Sequence, residues 1–205
     1  MKLLFLSTIF FGMSLSLSAQ NINSLFVAMP DSLSPLLTKV NRQDFADFLS
    51  SGMKAVVKNK FGGESEMQKL TDDYIMLRTT VSSVEEMKML PLNDSVKIIC
   101  MVKTYSGPVE DSTVEFYSTD WKKLSCEDFI KLPSLEDFFI KEKDILPKFR
   151  DMFLYKAELS EKCNDIKFTF CSPDATDKET SDKMSGCIKK NLEYTWFNGR
   201  YEVKQ

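Results

Sequence analysis

Leu192-Glu193-Tyr194-Thr195-Trp196-Phe197-Asn198-Gly199-Arg200-Tyr201-Glu202-Val203-Lys204 is the stretch that decides the fold. Asn198-Gly199 supplies the two positive-φ positions of a type I′ turn, whose twist matches that of two antiparallel strands. A two-residue turn fixes the register, so Phe197 stands opposite Arg200, Trp196 opposite Tyr201 and Tyr194 opposite Val203. Side chains alternate between the faces of a strand. Leu192, Tyr194, Trp196, Tyr201 and Val203 therefore share one face, while Glu193 meets Lys204 on the other. One apolar and one polar face describe an antiparallel sheet covered on one side, and the alternation marks the aromatic face as core rather than as an exposed stacking platform.

Working outward, residues 152–159 and 166–171 alternate in the same way and read as strands, with a helix expected between them and the hairpin at 178–190. Further upstream the same period marks strands at 55–60, 74–81, 86–90, 96–104 and 114–117, separated by turns at 91–95 and 106–111. Residues 96–104 carry Val96, Ile98, Cys100 and Val102 on one face and Ile99 and Met101 on the other. A strand apolar on both faces is expected to lie centrally in the sheet. Helical signals come earlier. A short apolar segment at 22–29 precedes a turn, and Ser34-Pro35 reads as a helix start. Asn41 with Asp44 reads as a second start, placing Phe45, Phe48 and Leu49 on one face before Gly52 stops the helix. Residues 121–148 read as a connector with short helices at Ser125 to Asp128 and Ser134 to Asp137. The expected class is α+β: antiparallel β-meanders with short covering helices, open to a division into two similar helix-plus-sheet halves.

The first 19 residues read as a secretory signal. Lys2 supplies the charge, 3–17 the apolar run, and Ser16-Leu17-Ser18-Ala19 the small residues for cleavage before Gln20. The expected organisation is a signal peptide at 1–19 and one α+β domain at 20–205, divisible into 20–120 and 150–205 with a connector at 121–149. The chain is expected to be exported, with no transmembrane anchor after cleavage. No cysteine precedes Cys100, which excludes a lipoprotein attachment site in the leader.

Composition removes several functions. The 205 residues are 43% hydrophobic with 16 Phe, too apolar for a disordered chain. With 30 acidic against 27 basic side chains, net charge −3, and only isolated pairs at Lys122-Lys123 and Lys189-Lys190, no phosphate track is present and nucleic acid is not an expected partner. Five cysteines leave at least one thiol free or bridged between chains. The absence of histidine removes the usual general base, the Ser-His and Cys-His nucleophile pairs and the commonest transition-metal ligand.

The remaining motifs are thin. Ser51-Gly52-Met53-Lys54 matches a Ser-x-x-Lys nucleophile, but here the serine ends a helix instead of starting one. Acidic neighbours occur at Asp72-Asp73, Glu85-Glu86, Glu110-Asp111, Glu127-Asp128 and Glu136-Asp137, mostly where caps and turns account for them. Asp174, Asp177, Glu179 and Asp182 lack the glycine and spacing of a calcium loop. Gly62-Gly63 lacks the Lys-Ser/Thr of a phosphate loop. No catalytic, cofactor-binding or metal-ligating residue is assigned, and no cofactor is expected.

Met29-Pro30-Asp31-Ser32, Asn41-Arg42-Gln43-Asp44-Phe45, Phe61-Gly62-Gly63, Leu70-Thr71-Asp72-Asp73-Tyr74, Leu90-Pro91-Leu92-Asn93-Asp94-Ser95, Asp111-Ser112 through Asp120-Trp121 and Tyr194-Thr195-Trp196-Phe197-Asn198-Gly199-Arg200-Tyr201 resemble an uncharacterised family of exported Bacteroidetes proteins, domain of unknown function 3256. The resemblance implies export to a periplasm or the cell exterior and carries no catalytic residues. The element order is also similar to β-lactamase-inhibitor-like and PepSY-like periplasmic modules, a likeness of fold alone. The expected function is a non-enzymatic extracytoplasmic binding or protein-interaction module whose partner is an envelope protein or extracellular ligand. The alternatives are a carboxylate-dependent, glycosidase-like hydrolase and an envelope-assembly accessory protein.

Overall fold

Helices α1 (Ile22–Ala28) and α2 (Lys39–Ser50) precede seven strands, β1 (Val56–Lys58), β2 (Glu64–Leu70), β3 (Tyr74–Thr80), β4 (Ser83–Pro91), β5 (Lys97–Ser106), β6 (Glu110–Ser118) and β7 (Lys123–Leu124). These pair antiparallel in chain order as one seven-stranded meander. Two short 3-10 helices, Cys126–Asp128 and Leu135–Phe138, lead to β8 (Tyr155–Leu159), β9 (Asp165–Phe170), β10 (Asn191–Phe197) and β11 (Arg200–Val203). The last four form a second antiparallel sheet in the order β11-β10-β9-β8. This is a computed structural model, and it describes residues 21–140, 152–172 and 186–204.

Strand β5 explains the layering. Ile98, Cys100 and Val102 enter a core shared with Ala157, Ile166, Phe168, Phe170, Leu192, Tyr194 and Tyr201 of the second sheet. Ile99 and Met101 enter another core with Ile22, Phe26 and Phe45 of the helices. The seven-stranded sheet is thus the middle of three layers, and its interior strand is apolar on both sides because both sides are covered.

The hairpin has the register read from its turn: Tyr194 pairs with Val203, Trp196 with Tyr201 and Phe197 with Arg200. Asn198 and Gly199 have φ of 47° and 82°. Trp196 reaches across the layers, its Nε1 donating to the Pro91 carbonyl at 2.7 Å. Val203 shares the inward side but is exposed, because it lies at the end of the edge strand β11.

Other expectations are corrected. No helix starts at Ser34-Pro35; residues 31–36 form turns. The α2 start lies at Thr38, with Asn41 as its box partner rather than its cap: Thr38 Oγ1 accepts from Asn41 N, and Asn41 Oδ1 accepts from Thr38 N, both at 3.0 Å. The apolar segment after Asn21 is itself helical, capped by Asn21 Oδ1 accepting from Ser24 N at 2.9 Å. Strand β2 was not expected, since it carries mainly polar residues and a bulge between Met67 and Lys69 breaks its alternation. Most of the helix expected at 178–190 lies outside the described residues. Its described end is not helical, for Ile188 makes an isolated antiparallel bridge to Phe139.

Candidate functional site

Adjacent residues on a strand face opposite ways, so Glu85 and Glu86 of β4 are separated by the sheet itself. Glu85 faces the helix side with Met87 and Met89, and Glu86 faces the second sheet with Leu90. They are not an acid–base pair across one cleft.

Each has its own surroundings. Tyr74 Oη donates to Glu86 Oε1 at 2.5 Å. Beside them Lys88, 2% exposed, pairs with Asp73 at 2.9 Å and donates to the Glu161 carbonyl at 3.2 Å. Burial pushes Glu86 up to about 7 against the lowering effect of the Tyr74 hydrogen bond. This cluster is closed: every group in it has a partner, and it stitches β3 and β4 to the loop after β8.

Glu85 is different. It stands opposite Lys103 in the β4–β5 register, at the end of the sheet where the covering layer is the 30–37 loop. Arg42 of α2 holds that loop down, donating to the carbonyls of Leu37 at 3.2 Å and Met29 at 2.6 Å and to Asp31 Oδ1 at 3.0 Å. Lys60 N donates to the Leu36 carbonyl at 2.9 Å. From below, Lys103 Nζ donates to the Leu33 carbonyl at 3.1 Å. Between loop and sheet lies a pocket of about 120 Å³ with Leu33, Leu36, Val84 and Tyr105 among its apolar walls.

Glu85 lines this pocket and is 4% exposed. Its Oε1 pairs with Lys103 Nζ at 3.5 Å, the outer limit of a hydrogen bond, and no closer donor reaches it. Burial pushes Glu85 up to about 7; Lys103 and Arg42 oppose that rise and Glu115 adds to it. A buried carboxylate oxygen with no donor closer than 3.5 Å keeps capacity to accept from a ligand.

The surrounding end of the sheet is apolar. Phe61 in the β1–β2 loop is 80% exposed, Val81 in the β3–β4 turn 95%, and Tyr105 at the end of β5 56%. In a chain-order meander these connections fall at the same end. Hydrogen bonds join them: Asn59 Nδ2 donates to the Thr79 carbonyl at 3.5 Å, and Ser106 N to the Ser82 carbonyl at 2.8 Å.

The other sequence motifs lie elsewhere. Ser51 caps the C-terminus of α2, and Lys54 turns to Glu66 at 3.1 Å. The amides of Phe61 and Gly63 donate to Asn59 Oδ1, each at 3.1 Å, so the Gly62-Gly63 loop is folded around its own side chain. Asp137 completes the box with Ser134. Lys122 and Lys123 pair with Asp120 and Glu115. Asp174, Asp177, Glu179 and Asp182 lie outside the described residues. A depression on the second sheet gathers Glu158, Asp165 and Glu193, but Lys167 reaches Glu158 at 2.7 Å and Lys204 the other two at 3.4 and 3.5 Å. Among the described residues no group of three His, Cys, Asp or Glu is arranged to hold a metal ion, and no helix is long and apolar enough to cross a membrane.

Sequence reading recorded Glu85 only as one of several acidic neighbours and missed Lys103. A usable signal was present: both are charged residues on the strand face that otherwise carries Met87, Met89, Ile99 and Met101.

A family model described as a protein of unknown function, DUF3256, matches residues 14–201. A solved structure, that of a domain of an uncharacterised protein from Porphyromonas gingivalis W83, is similar with a TM-score of 0.78 at 24% identity, covering 89% of this chain and 97% of that one. That likeness shows the fold. No curated protein matches the chain.

Proposed function

The chain belongs to the DUF3256 family of proteins of unknown function, and we propose that it is an exported, non-enzymatic binding module that holds its partner at the end of the seven-stranded sheet beneath the 30–37 loop. The observation that carries this reading is the exposure of Phe61, Val81 and Tyr105 at the sheet end that holds a pocket with a buried carboxylate 3.5 Å from its lysine partner. Exposed apolar surface rimmed by polar residues is what a binding face presents, and a concave site with a few placed polar groups is what gives such a face selectivity. The partner is an envelope protein or an extracellular ligand.

Export rests on the Lys2, apolar-run and Ala19 pattern. Intact-mass analysis of the periplasmic or culture-fluid protein is expected to give Gln20 as the first residue. Retention of Met1 in the membrane fraction would overturn export.

Binding is tested by crosslinking in envelope extract with the wild type and with a Phe61→Ser/Val81→Ser double variant. Both positions are exposed, so folding is expected to be unaffected. One stoichiometric partner captured by the wild type and reduced at least about tenfold in the variant supports the assigned face, since losing a central apolar anchor typically costs 1.4 kcal/mol or more. Equal capture by both proteins overturns it. Turnover of a glycoside reporter that survives repurification and disappears in Glu85→Gln would replace the binding reading with the carboxylate-dependent hydrolase.

A further inference from the structure

We propose that the pocket over Glu85 takes a primary carboxamide, of the kind carried by Asn and Gln side chains, with its N–H donating to Glu85 Oε1 and its carbonyl accepting from Lys103 Nζ. The proposal rests on the reading of this sheet end as the binding face and names what enters it.

The two protein groups form a ready-made acceptor and donor. Beyond the long contact with Lys103, Glu85 Oε1 accepts from no donor. Lys103 Nζ, 3.5 Å away, gives one hydrogen to the Leu33 carbonyl, and an ammonium carries three. A carboxamide bears its donor and acceptor on a single carbon, so both can be met at ordinary hydrogen-bond lengths of about 2.9 Å, closing a ring with the ion pair. A hydroxyl also donates and accepts, but through a single oxygen that has to meet both partners; an ionised group cannot do so without adding charge. An ammonium would satisfy Glu85 but sit against Lys103. A carboxylate would satisfy Lys103 but face Glu85. Either would bring an unmatched charge into a partly desolvated space, whereas the amide is neutral.

The walls and volume set the remainder of the ligand. Leu33, Pro35 and Leu36 of the covering loop offer apolar contact, and the pocket holds about 120 Å³. A dry cavity of about 150 Å³ accepts benzene, so this one suits a side-chain-sized group with a short apolar stem. The half-exposed Tyr105 ring lines the pocket, and Phe61 and Val81 are exposed on the neighbouring connections at the same sheet end.

The test is an amide-proton NMR titration of the full mature chain with butyramide, butylamine and butyrate. Saturable shifts at Glu85, Lys103 and Thr79 are expected with butyramide, with butylamine and butyrate weaker by at least about tenfold, because each leaves one buried polar partner unmet. Glu85→Leu is expected to keep a native spectrum and lose those shifts. Equal or tighter binding of either charged probe, butyramide shifts unaffected by Glu85→Leu, or no saturable shift with butyramide overturns the proposal. A second arm compares an N-acetylated Ala-Ala-Gln-Ala-Ala methylamide with its Glu counterpart. Tighter binding of the Gln peptide than of butyramide assigns the group to a polypeptide side chain, and binding of butyramide alone assigns it to a free amide. Failure of the amide probes while crosslinking still depends on Phe61 and Val81 discards the carboxamide and leaves the binding face standing.

Discussion

Phe116→Ala is expected to lower the free energy of unfolding by about 3–5 kcal/mol, the usual cost of removing a buried aromatic ring from a close-packed core. Phe116 is fully buried on β6 and is the point where the layers meet: its ring lies 5.0 Å from Phe129, 6.5 Å from Trp196 and 6.4 Å from Tyr201. Truncation would remove one wall from all three, and the antiparallel backbone on either side prevents the gap from collapsing. Thr195→Ala, on the other side of the hairpin from Trp196, is expected to cost less than about 1 kcal/mol, in the range of substitutions away from the core. Denaturant titration of the two variants checks both. Similar effects would mean that the core between the sheets is assigned to the wrong faces.

Stability is expected to fall as pH rises from about 4.5 to 7. Glu85 and Glu86 are each pushed by burial from an ordinary 4.5 up to about 7. In that interval the folded chain holds protons that the unfolded chain has released, and unfolding becomes easier with each step towards neutrality. A displacement of this size corresponds to on the order of 3 kcal/mol for each group. Lys103 beside Glu85 and solvent at the pocket mouth reduce what is realised, so about 2–4 kcal/mol in total is expected. Below about 4.5 the direction reverses. Asp31 and Glu66 are held below their ordinary values by hydrogen bonds from Arg42 and Arg78, and protonating them removes stabilisation. The expected optimum lies near pH 5. Urea unfolding at intervals from pH 4 to 8 measures the curve, and Glu86→Gln, which still accepts from Tyr74, should flatten the descending limb by about half. A wild-type curve level between pH 5 and 7 would show that neither carboxylate is raised.

Several features were legible in the residues alone because their causes are local. The Asn198-Gly199 turn sets the hairpin register within a few residues of itself. Alternation along β5 distributes Ile98 and Cys100 to one core and Ile99 and Met101 to the other, so its central place in the sheet is legible from the residues alone. The Ser134–Asp137 box is likewise a matter of three-residue spacing. Misreadings arose where local signals competed. Ser34-Pro35 is a sound helix start in isolation, but the Thr38–Asn41 box lies just beyond it, and Arg42 binds the Met29 and Leu37 carbonyls and keeps the intervening chain in turns.

The sequence by itself determined the α+β class, the meandering antiparallel pairing, the two-faced interior strand and the hairpin register, because turn chemistry and side-chain periodicity act over a few residues. Only the tertiary structure decided that Glu85 is isolated from Glu86 by the thickness of a sheet, and that it lies beneath the 30–37 loop beside a lysine whose hydrogen is given to a carbonyl 70 positions away. Such a site depends on which layer covers which end of the sheet, and that is set by the packing of the whole core rather than by any spacing along the chain.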